Sequence, residues 1–356
     1  MSAPAKAILL AMIALFSCAT SAADLLRIYN WNNYIAPETL ERFEAECKCR
    51  VSYDTYGSNE ELLAKIAAGA TGYDLLVPTG NAVESLIKQH ALLPLDKRKL
   101  PNLRNIGAAY LNRFFDPGNV YSVPYAYTVT LIGYNEQKLR QLGIPTNTWG
   151  AIFEPRYLRK LKGRVTVLDD PRELMAAALM YLGYSVNDPN ETHWREAAAL
   201  IMRAKKYWAA FNNTSYIRLI AAGDIWLAQG YSNDFFQAGL EARKAGKNFT
   251  IGSAIPEQGA VLSLDSMVIP RKAPRPDLAY RFGNFMLAGS NSAELTNLIG
   301  SGNPNVAALP YIKPAIAATA AIFPDRQTLA RLEQLRDLTR RQRQLLNRLW
   351  TEIKLY

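Results

Sequence analysis

The amino-acid sequence predicts an α/β protein that is built from two domains. Segments with the alternation of β-strands are followed by segments with helical spacing, most clearly over residues 25–79, where the order is β-α-β-α-β. The chain has 356 residues, of which 49% are apolar, and this length is sufficient for two domains with cores of their own. Aromatic and polar residues recur where the strands end, which is where open α/β sheets bind ligands. These observations together predict two α/β domains that share a ligand cleft.

Residues 1–23 have the pattern of a secretory signal peptide. A basic start precedes the apolar run 7–16, and small residues follow it, so that cleavage is expected after residue 22 or 23. A transmembrane anchor is the alternative, but the apolar run is too short to span a bilayer. A lipid anchor on Cys18 is a second alternative, for which Phe16 is a poor match. We therefore expect an exported protein.

The first third of the exported chain alternates strands and helices. We predict strands at 25–31, 50–56 and 73–79 and helices at 37–47 and 58–69. Pro37 suits the first turn of the first helix. Ser58 with Glu61 has the spacing of a capping box for the second helix, and Asn81 with Glu84 predicts the start of a third.

The rest of the chain continues this alternation. Residues 121–135 form a long extended stretch, interrupted by Pro124, which we interpret as a segment that crosses between the domains. Further strands are predicted at 163–171, 223–234 and 259–270, and helices at 171–183, 234–246, 276–288 and 291–300. Residues 300–305 are predicted as a tight loop. Leucines at helical spacing predict an amphipathic helix over 331–356.

The formal net charge of the chain is +10, and much of the excess lies in residues 271–276 and 331–356. A basic helix face is compatible with nucleic acid or with anionic lipid. For an exported protein we favour a helix that packs on the body with its arginines in solvent. We therefore predict no nucleic-acid partner.

Sequence patterns for catalysis and metal binding are absent. The chain has no P-loop, and no glycine-rich dinucleotide fingerprint follows the first strand. His90 and His193 have no recognisable nucleophile or metal context. Cys47 and Cys49 are one residue apart, and this spacing leaves open whether they are free thiols or a tight disulfide. We predict a protein that is not an enzyme and that has no cofactor and no metal.

Residues at or just beyond the predicted strand ends are the candidates for the cleft. They combine aromatic faces, hydroxyls and carboxylates: Trp31, Tyr34, Thr79, Asp170, Tyr231, Asp234 and Asp265. An ammonium group over an aromatic face gains about 0.5–2 kcal/mol. A charge-assisted hydrogen bond contributes about 1.5–3 kcal/mol. This combination predicts an organic cation as the ligand.

The candidate acids also have structural interpretations. Asp170 is placed to be the N-cap of the helix 171–183, and Glu173 is placed to complete its capping box. Asp234 is placed to cap the helix that follows it. Asp265 interrupts a β-run, where a charge needs a partner, and this favours a ligand contact. For Glu173 the residues alone favour the cap, and for Asp234 they leave both interpretations open.

Several segments resemble the periplasmic spermidine/putrescine-binding proteins of ABC transporters. The most specific are YNWNNYIAP (29–37) and GYDLLVP (72–78), and DDPRE (169–173), GYSND (230–234) and GNPN (302–305) follow in the same order. The resemblance implies a type II periplasmic-binding-protein fold, in which two α/β lobes joined by crossing strands close around a ligand. It implies a polyamine ligand, an inner-membrane ABC permease as partner, and a monomer.

The resemblance also implies where the two lobes divide. Residues 24–133 and 264–310 belong to lobe 1 in this interpretation, and residues 134–263 and 311–356 belong to lobe 2.

Carried over residue by residue, the resemblance implies a pocket with both matches and departures. The matching positions are Trp31, Tyr34, Thr79 (a serine in the family), Asp170, Glu173, Asp234 and Asp265. The departures are Asn32 for a serine or threonine, Asn33 for an acidic residue, Tyr231 for a tryptophan, Ser263 for a tryptophan or phenylalanine, and Ser301 for a tyrosine. One carboxylate and several ring faces are lost, so the pocket is expected to be wider and more polar. The alternatives are a different polar amine or amino-acid derivative as ligand, or a periplasmic sensor subunit.

Overall fold

The structure, a computed structural model, describes residues 24–32, 34–69 and 72–356. Residues 1–23, which include the predicted signal peptide and Cys18, lie outside the described residues, and so does Asn33. In the described part the chain alternates strands and helices, as the sequence predicts. The strands are β1 (Leu25–Trp31), β2 (Arg50–Tyr56), β3 (Leu75–Leu76), β4 (Ser122–Asn135), β5 (Val165–Val167), β6 (Ala210–Phe211), β7 (Leu227–Tyr231), β8 (Ile251–Ala254), β9 (Ala260–Val268) and β10 (Leu332–Glu333).

The helices of the described residues are mostly short and lie between these strands. They are α1 (Pro37–Cys47), α2 (Asn59–Ala67), α3 (Gly80–Lys88), α4 (Glu136–Leu142), α5 (Gly150–Phe153), α6 (Pro155–Leu158), α7 (Pro171–Tyr181), α8 (Glu191–Lys205), α9 (Tyr216–Ala222), α10 (Ser232–Lys244), α11 (Pro276–Met286), α12 (Gly289–Ile299), α13 (Pro314–Ala317), α14 (Arg326–Leu329) and α15 (Arg340–Leu355), with 3₁₀ turns at Lys97–Lys99, Pro101–Asn105, Ala108–Tyr110 and Val306–Tyr311. None of these helices is long and apolar enough to cross a membrane.

One mixed sheet runs through the molecule in the order β2-β1-β3-β9-β4-β7-β5-β6, with β10 beside β9 and β8 beside β4. At one end β1 is parallel to β2 and β3, and at the other end β5 is parallel to β6 and β7. Between these parallel groups β4 and β9 run antiparallel to each other. Their register shifts between Pro124 and Ala126. The two long strands therefore connect two halves, as the interpretation of 121–135 as a crossing segment predicts.

The apolar side chains form separate cores in the two halves. One core lies around β1–β3 and includes Leu26, Phe43 and Phe282. The other lies around β5 and β7 and includes Leu174 and Leu349. We call the half around β1–β3 lobe 1 and the half around β5–β7 lobe 2. The α/β class is confirmed, while the lobe boundaries stated above stay a prediction.

Two of the predicted helix caps are present. The Ser58 hydroxyl accepts a hydrogen bond from the Glu61 backbone N–H at 3.1 Å, so α2 begins where its capping pattern indicates. Asp170 accepts from the backbone N–H groups of Arg172 and Glu173 at 2.8 and 3.0 Å and caps α7. These caps depend on neighbours within three residues, which is why a sequence pattern is sufficient to predict them.

The predicted cap at Asn81 is wrong. Helix α3 begins at Gly80, and Thr79 occupies the N-cap position without a side-chain cap bond. The hydroxyl of Thr79 instead donates to the carboxylate of Asp265 at 2.6 Å. A partner 186 residues away therefore fixes the start of this helix, and Asn81 falls in its first turn.

The prediction of one helix over 331–356 is wrong for its first part. Strand β10 pairs in parallel with β9, Leu332 opposite Ala260. Helix α15 begins only after Thr339, whose side chain and that of Gln342 form a capping box. Leu332 and its neighbours are extended because the edge of β9 offers a backbone partner there. The expectation that the tail packs on the body is confirmed, since four side chains of α15 are buried: Leu345, Leu346, Leu349 and Ile353.

Cys47 and Cys49 form a disulfide, which the spacing alone left open. Lys48 ends α1 in a left-handed conformation with a φ of 54°. This turn brings the two Cα atoms to 5.2 Å, within the ordinary range for a disulfide.

Candidate functional site

A cavity of about 850 Å³ lies between the two lobes. Lobe 1 contributes the ends of β1 and β2 and the first turns of α2 and α3. Lobe 2 contributes the first turns of α7 and α10, and β9 forms part of the wall through residues 262–265. The cavity therefore lies at the carboxyl ends of parallel strands, as the strand-end residues predict.

Asp265 is a buried carboxylate on the lobe 1 side of the cavity, and it is fixed by two hydroxyl groups. Tyr34 donates a hydrogen bond to its Oδ2 at 2.7 Å, and Thr79 donates to its Oδ1 at 2.6 Å. A β-bridge between Thr79 and Asp265 also holds their backbones together. Burial raises the pKa of Asp265 to about 6, although the two hydroxyls oppose this shift. The result is an anion held at a set position in the wall.

Glu173 is the most deeply buried acid on the lobe 2 side, with 5% of its surface exposed. No donor among the described residues reaches its Oε2. Burial raises the pKa of Glu173 to about 8, and the charge of Asp170 adds to this shift, while the Thr130 hydroxyl and the charge of Arg172 oppose it. A capping role requires a backbone N–H that donates to the Glu173 side chain, and α7 has no such bond among the described residues. The capping interpretation of Glu173 is therefore wrong. Asp170 supplies the cap alone.

Asp234 is a third acid of the cavity and lies in the first turn of α10. This helix begins at Ser232, two residues earlier than predicted, so that Asp234 does not cap it. Its carboxylate instead accepts hydrogen bonds from the Tyr216 hydroxyl and, at 3.0 Å, from the Asn233 amide. Burial raises the pKa of Asp234 to about 6 against the effect of these two donors.

The aromatic side chains of the cavity are held by packing and by backbone acceptors. Trp31 donates from Nε1 to the Val77 carbonyl at 2.9 Å, and its ring centroid lies 4.6 Å from that of Tyr56. Tyr231 ends β7 and is half-buried in the wall. Burial and the surrounding acids, Glu173 first, hold the pKa of Tyr231 well above its ordinary value, so its phenol stays neutral.

The structure brings together ten of the twelve predicted site residues. They line the cavity: Trp31, Asn32, Tyr34, Thr79, Asp170, Glu173, Tyr231, Asp234, Ser263 and Asp265. Ser301 is fully buried and is not among the described residues that line the cavity. Asn33 lies outside the described residues.

Other lining residues were missed by the sequence interpretation. Glu60 and Arg172 border the cavity in the first turns of α2 and α7, and Gln334 and Leu335 reach it from the segment before α15. The position of Arg172 between Asp170 and Glu173 in the sequence is the signal that could have placed its guanidinium beside these two acids. Gln334 and Leu335 give no local signal, because they lie in a segment predicted to be helical.

The charge of the cavity is opposite to that of the whole chain. Among the described residues that line it, the acids are Glu60, Asp170, Glu173, Asp234 and Asp265, and the one cation is Arg172. The described residues contain no cluster of three or more His, Cys, Asp or Glu side chains placed to hold a metal ion. Acids on both walls beside aromatic rings suit an organic cation with more than one charge.

Comparisons with known proteins identify a matching family and several similar proteins. Residues 38–324 match the family described as bacterial extracellular solute-binding protein. The chain is 55% identical over 350 residues to a putrescine/cadaverine-binding protein of Pseudomonas aeruginosa, covering 98% of this chain and 99% of that one. It is 34% identical to the putrescine-binding periplasmic protein PotF of Escherichia coli, covering 95% and 94%. The crystal structure of the Tp0655 (TpPotD) lipoprotein of Treponema pallidum superimposes with a TM-score of 0.82 at 31% identity, covering 94% of this chain and all of that one.

Proposed function

The chain belongs to the bacterial extracellular solute-binding protein family, and we propose that it captures a polyamine in its interlobe cleft and delivers it to an ABC transporter permease. Putrescine and cadaverine are the first ligands to test, since both are in the name of the relative from Pseudomonas aeruginosa. The family consists of substrate-binding proteins, and the protein is accordingly not an enzyme.

The presence of carboxylates on both walls of one cavity is the observation that carries this proposal. Asp265 belongs to the lobe 1 wall, and Glu173 and Asp234 belong to the lobe 2 wall. A linear diamine has an ammonium group at each end and methylenes between them. Such a ligand places one charge against each lobe, and its methylenes pass the rings of Trp31 and Tyr231.

The interaction energies are sufficient for tight binding. Each ammonium group forms charge-assisted hydrogen bonds that contribute about 1.5–3 kcal/mol apiece. Contacts with aromatic faces add about 0.5–2 kcal/mol. Because both lobes touch the ligand, binding favours the closed arrangement, and opening requires all contacts with one lobe to break.

The remaining assignments follow the same proposal. The ten lining residues predicted from the sequence contact the ligand, while Ser301 lies outside the cavity lining. The predicted lobe boundaries at 133/134, 263/264 and 310/311 separate the moving bodies. The protein acts as a monomer in the periplasm, to which residues 1–23 direct it, and its transport partner is an inner-membrane ABC permease.

A larger or more polar amine is the second candidate, and Ser263 favours it. This serine lines the cavity at a position where a bulky ring would reduce the space. A volume of about 850 Å³ lies near the upper end of the range for pockets that hold drug-sized ligands. Spermidine or agmatine therefore belongs in the same test.

Calorimetric titration of the mature protein tests the proposal, after unfolding and refolding have removed any bound ligand. The panel is putrescine, cadaverine, spermidine, spermine and agmatine, with arginine and the monoamine butylamine as controls. We expect one-to-one binding of at least one polyamine and much weaker binding of butylamine, which has a single charge. No heat with any polyamine would refute the proposed ligand class.

A further inference from the structure

The segment 332–339, which we call the strap, touches both lobes beside the cavity. It begins with β10 and ends where α15 starts. Two of its side chains, Gln334 and Leu335, form part of the cavity wall. The strap is not one of the two long strands that cross between the lobes. Its position therefore raises the question of what it does when the lobes move.

Lobe 2 holds the strap through its backbone. Asn187 donates from Nδ2 to the Gln334 carbonyl at 2.9 Å and accepts from the Arg336 N–H at 2.8 Å. Arg172 donates from Nη2 to the Arg336 carbonyl at 3.1 Å. Leu335 and Leu338 pack against the lobe 2 core. These contacts make the strap a part of lobe 2.

Lobe 1 touches the strap mainly through polar and charged groups and one ring, and Leu332 of the strap also packs against its apolar side chains. Arg113 donates from Nε to Oε1 of Gln334 at 2.8 Å. The Asp337 N–H donates to Oε2 of Glu84 at 2.9 Å, and Lys88 pairs with Oδ2 of Asp337 at 3.3 Å. The guanidinium of Arg336 lies 4.5 Å from the ring centroid of Phe114.

We propose that Glu84, Lys88 and Arg113 of lobe 1, together with Gln334 and Asp337 of the strap, form an interlobe latch that stabilises the closed arrangement. They are positioning residues, because four of the five lie outside the cavity and act through lobe closure. The latch sets how long the lobes stay closed on a ligand. This inference rests on the proposed function for the identity of the ligand but not for the motion of the lobes.

Because the strap is anchored more firmly to lobe 2, its contacts with lobe 1 are the ones that break when the lobes open. The contacts with lobe 2 combine hydrogen bonds to the strap backbone with two half-buried leucines, whereas the contacts with lobe 1 involve partly exposed ions. The side chain of Lys88 is 56% exposed and that of Asp337 is 17% exposed. Exposed ion pairs contribute little individually, so the latch depends on several weak contacts formed together and is easily reversed.

The test uses the full mature protein with the double substitution Glu84→Gln and Lys88→Gln on α3, which removes the two charged groups of lobe 1 that face Asp337. Arg343 of α15 pairs with Oδ1 of Asp337 at 3.3 Å within lobe 2 and is kept. Asp337→Asn tests the same contact from the strap. The matched control is Arg42→Gln, which breaks the ion pair with Glu294 inside lobe 1. None of these positions lines the cavity.

Two readouts separate the latch from a merely structural role. The first is the dissociation rate of putrescine, measured by stopped-flow, together with its equilibrium affinity. The second is the distance between nitroxide labels on Arg104→Cys in lobe 1 and Lys247→Cys in lobe 2, measured with and without putrescine. Melting temperatures show whether each variant is folded.

For the double variant we expect dissociation about three- to tenfold faster, affinity weakened by a similar factor, and label distances shifted toward the open arrangement. Combining the double variant with Asp337→Asn should add little to the dissociation rate, because the further contact that Asp337→Asn breaks, the pair with Arg343, lies within lobe 2. Unchanged label distances and rates within twofold of the wild type would overturn the latch. Faster dissociation without any shift in label distance would also overturn it. If the wild type binds no amine, the label distances of the unliganded variants still decide the question.

Discussion

Asp265 and Glu173 are both buried acids of the same cavity, but their surroundings differ. Asp265 accepts hydrogen bonds from Tyr34 and Thr79, one on each oxygen. Glu173 has an oxygen, Oε2, that no donor among the described residues reaches. Correspondingly, burial raises the pKa of Asp265 to about 6 and that of Glu173 to about 8.

This difference assigns the two acids different tasks. A buried carboxylate that already has donors is fixed in place and stays partly charged, so it can anchor the first ammonium group. A buried carboxylate without a donor on one oxygen carries an unfavourable desolvation energy. An ammonium group supplied by the ligand removes that cost. In our account Asp265 positions the ligand, and the ligand removes the desolvation cost of Glu173.

The largest expected effect comes from removing the fixed anchor with Asp265→Asn. The amide cannot accept both hydroxyl hydrogen bonds, and the charge for the ammonium group is lost. We expect putrescine affinity to fall about 100-fold, which corresponds to about 2.7 kcal/mol. Titration calorimetry measures the affinity. The control variant is Asp169→Asn, which removes an acid outside the cavity lining. An affinity within threefold of the wild type would remove Asp265 from the site.

Glu173→Gln sharpens the comparison because it should separate binding from stability. Putrescine affinity is expected to fall about 30-fold through the loss of one charged contact. Since the pKa of Glu173 is raised from 4.5 to about 8 in the folded protein, its contribution to stability is complete below about pH 4.5 and is lost as the pH rises to about 8. Because glutamine does not ionise, the variant does not lose stability over this pH range.

The unliganded Glu173→Gln variant should therefore melt at a higher temperature than the wild type at pH 8.5 and show less advantage at pH 5. Thermal unfolding at the two pH values checks this, and the surface variant Glu196→Gln serves as the control. A destabilised variant at pH 8.5 would mean that Glu173 has a stabilising partner in the empty protein.

Lowering the pH should weaken binding through the same acids. The amine stays protonated, while the carboxylates gain protons below about pH 8 for Glu173 and below about pH 6 for Asp234 and Asp265. We expect putrescine affinity to fall at least tenfold between pH 8.5 and pH 5.5. In the Glu173→Gln variant the affinity should no longer fall between pH 8.5 and about pH 6. A pH-independent affinity would contradict the role of ionised acids.

The smallest expected effect comes from loosening the anchor with Tyr34→Phe. Asp265 keeps the Thr79 hydrogen bond but loses the one from Tyr34, so its pKa rises further and its charge is less well held. Putrescine affinity should fall about fivefold. Tyr125→Phe is the matched control, because its hydroxyl donates to the Tyr34 carbonyl and not to Asp265. Equal losses in both variants would point to a packing effect.

Predictions from the sequence succeeded where structure is local. The caps at Ser58 and Asp170 depend on neighbours within three residues. The strand ends that carry Trp31 and Tyr231 follow from short apolar runs. The wider α/β arrangement follows from the alternation of such segments, because parallel strands need helices between them.

Predictions failed where a distant partner decides the local structure. Asn81 has the pattern of a cap, but Thr79 is held by Asp265, which lies far along the chain. The leucines after Arg331 have helical spacing, yet the edge of β9 and the hydrogen bonds between Asn187 and the strap backbone keep this segment extended. Gln334 reaches the cavity for the same reason, so that no local pattern contains it.

We expect the diamine to place one nitrogen on Asp265 and the other on Oε2 of Glu173, the oxygen that has no hydrogen-bond partner among the described residues. A crystal structure of the putrescine complex tests it most directly. The account predicts one nitrogen within hydrogen-bond distance of Asp265 and the other within hydrogen-bond distance of Glu173, with the methylenes against Trp31. A bound diamine that leaves the Glu173 carboxyl without a nitrogen partner would contradict it.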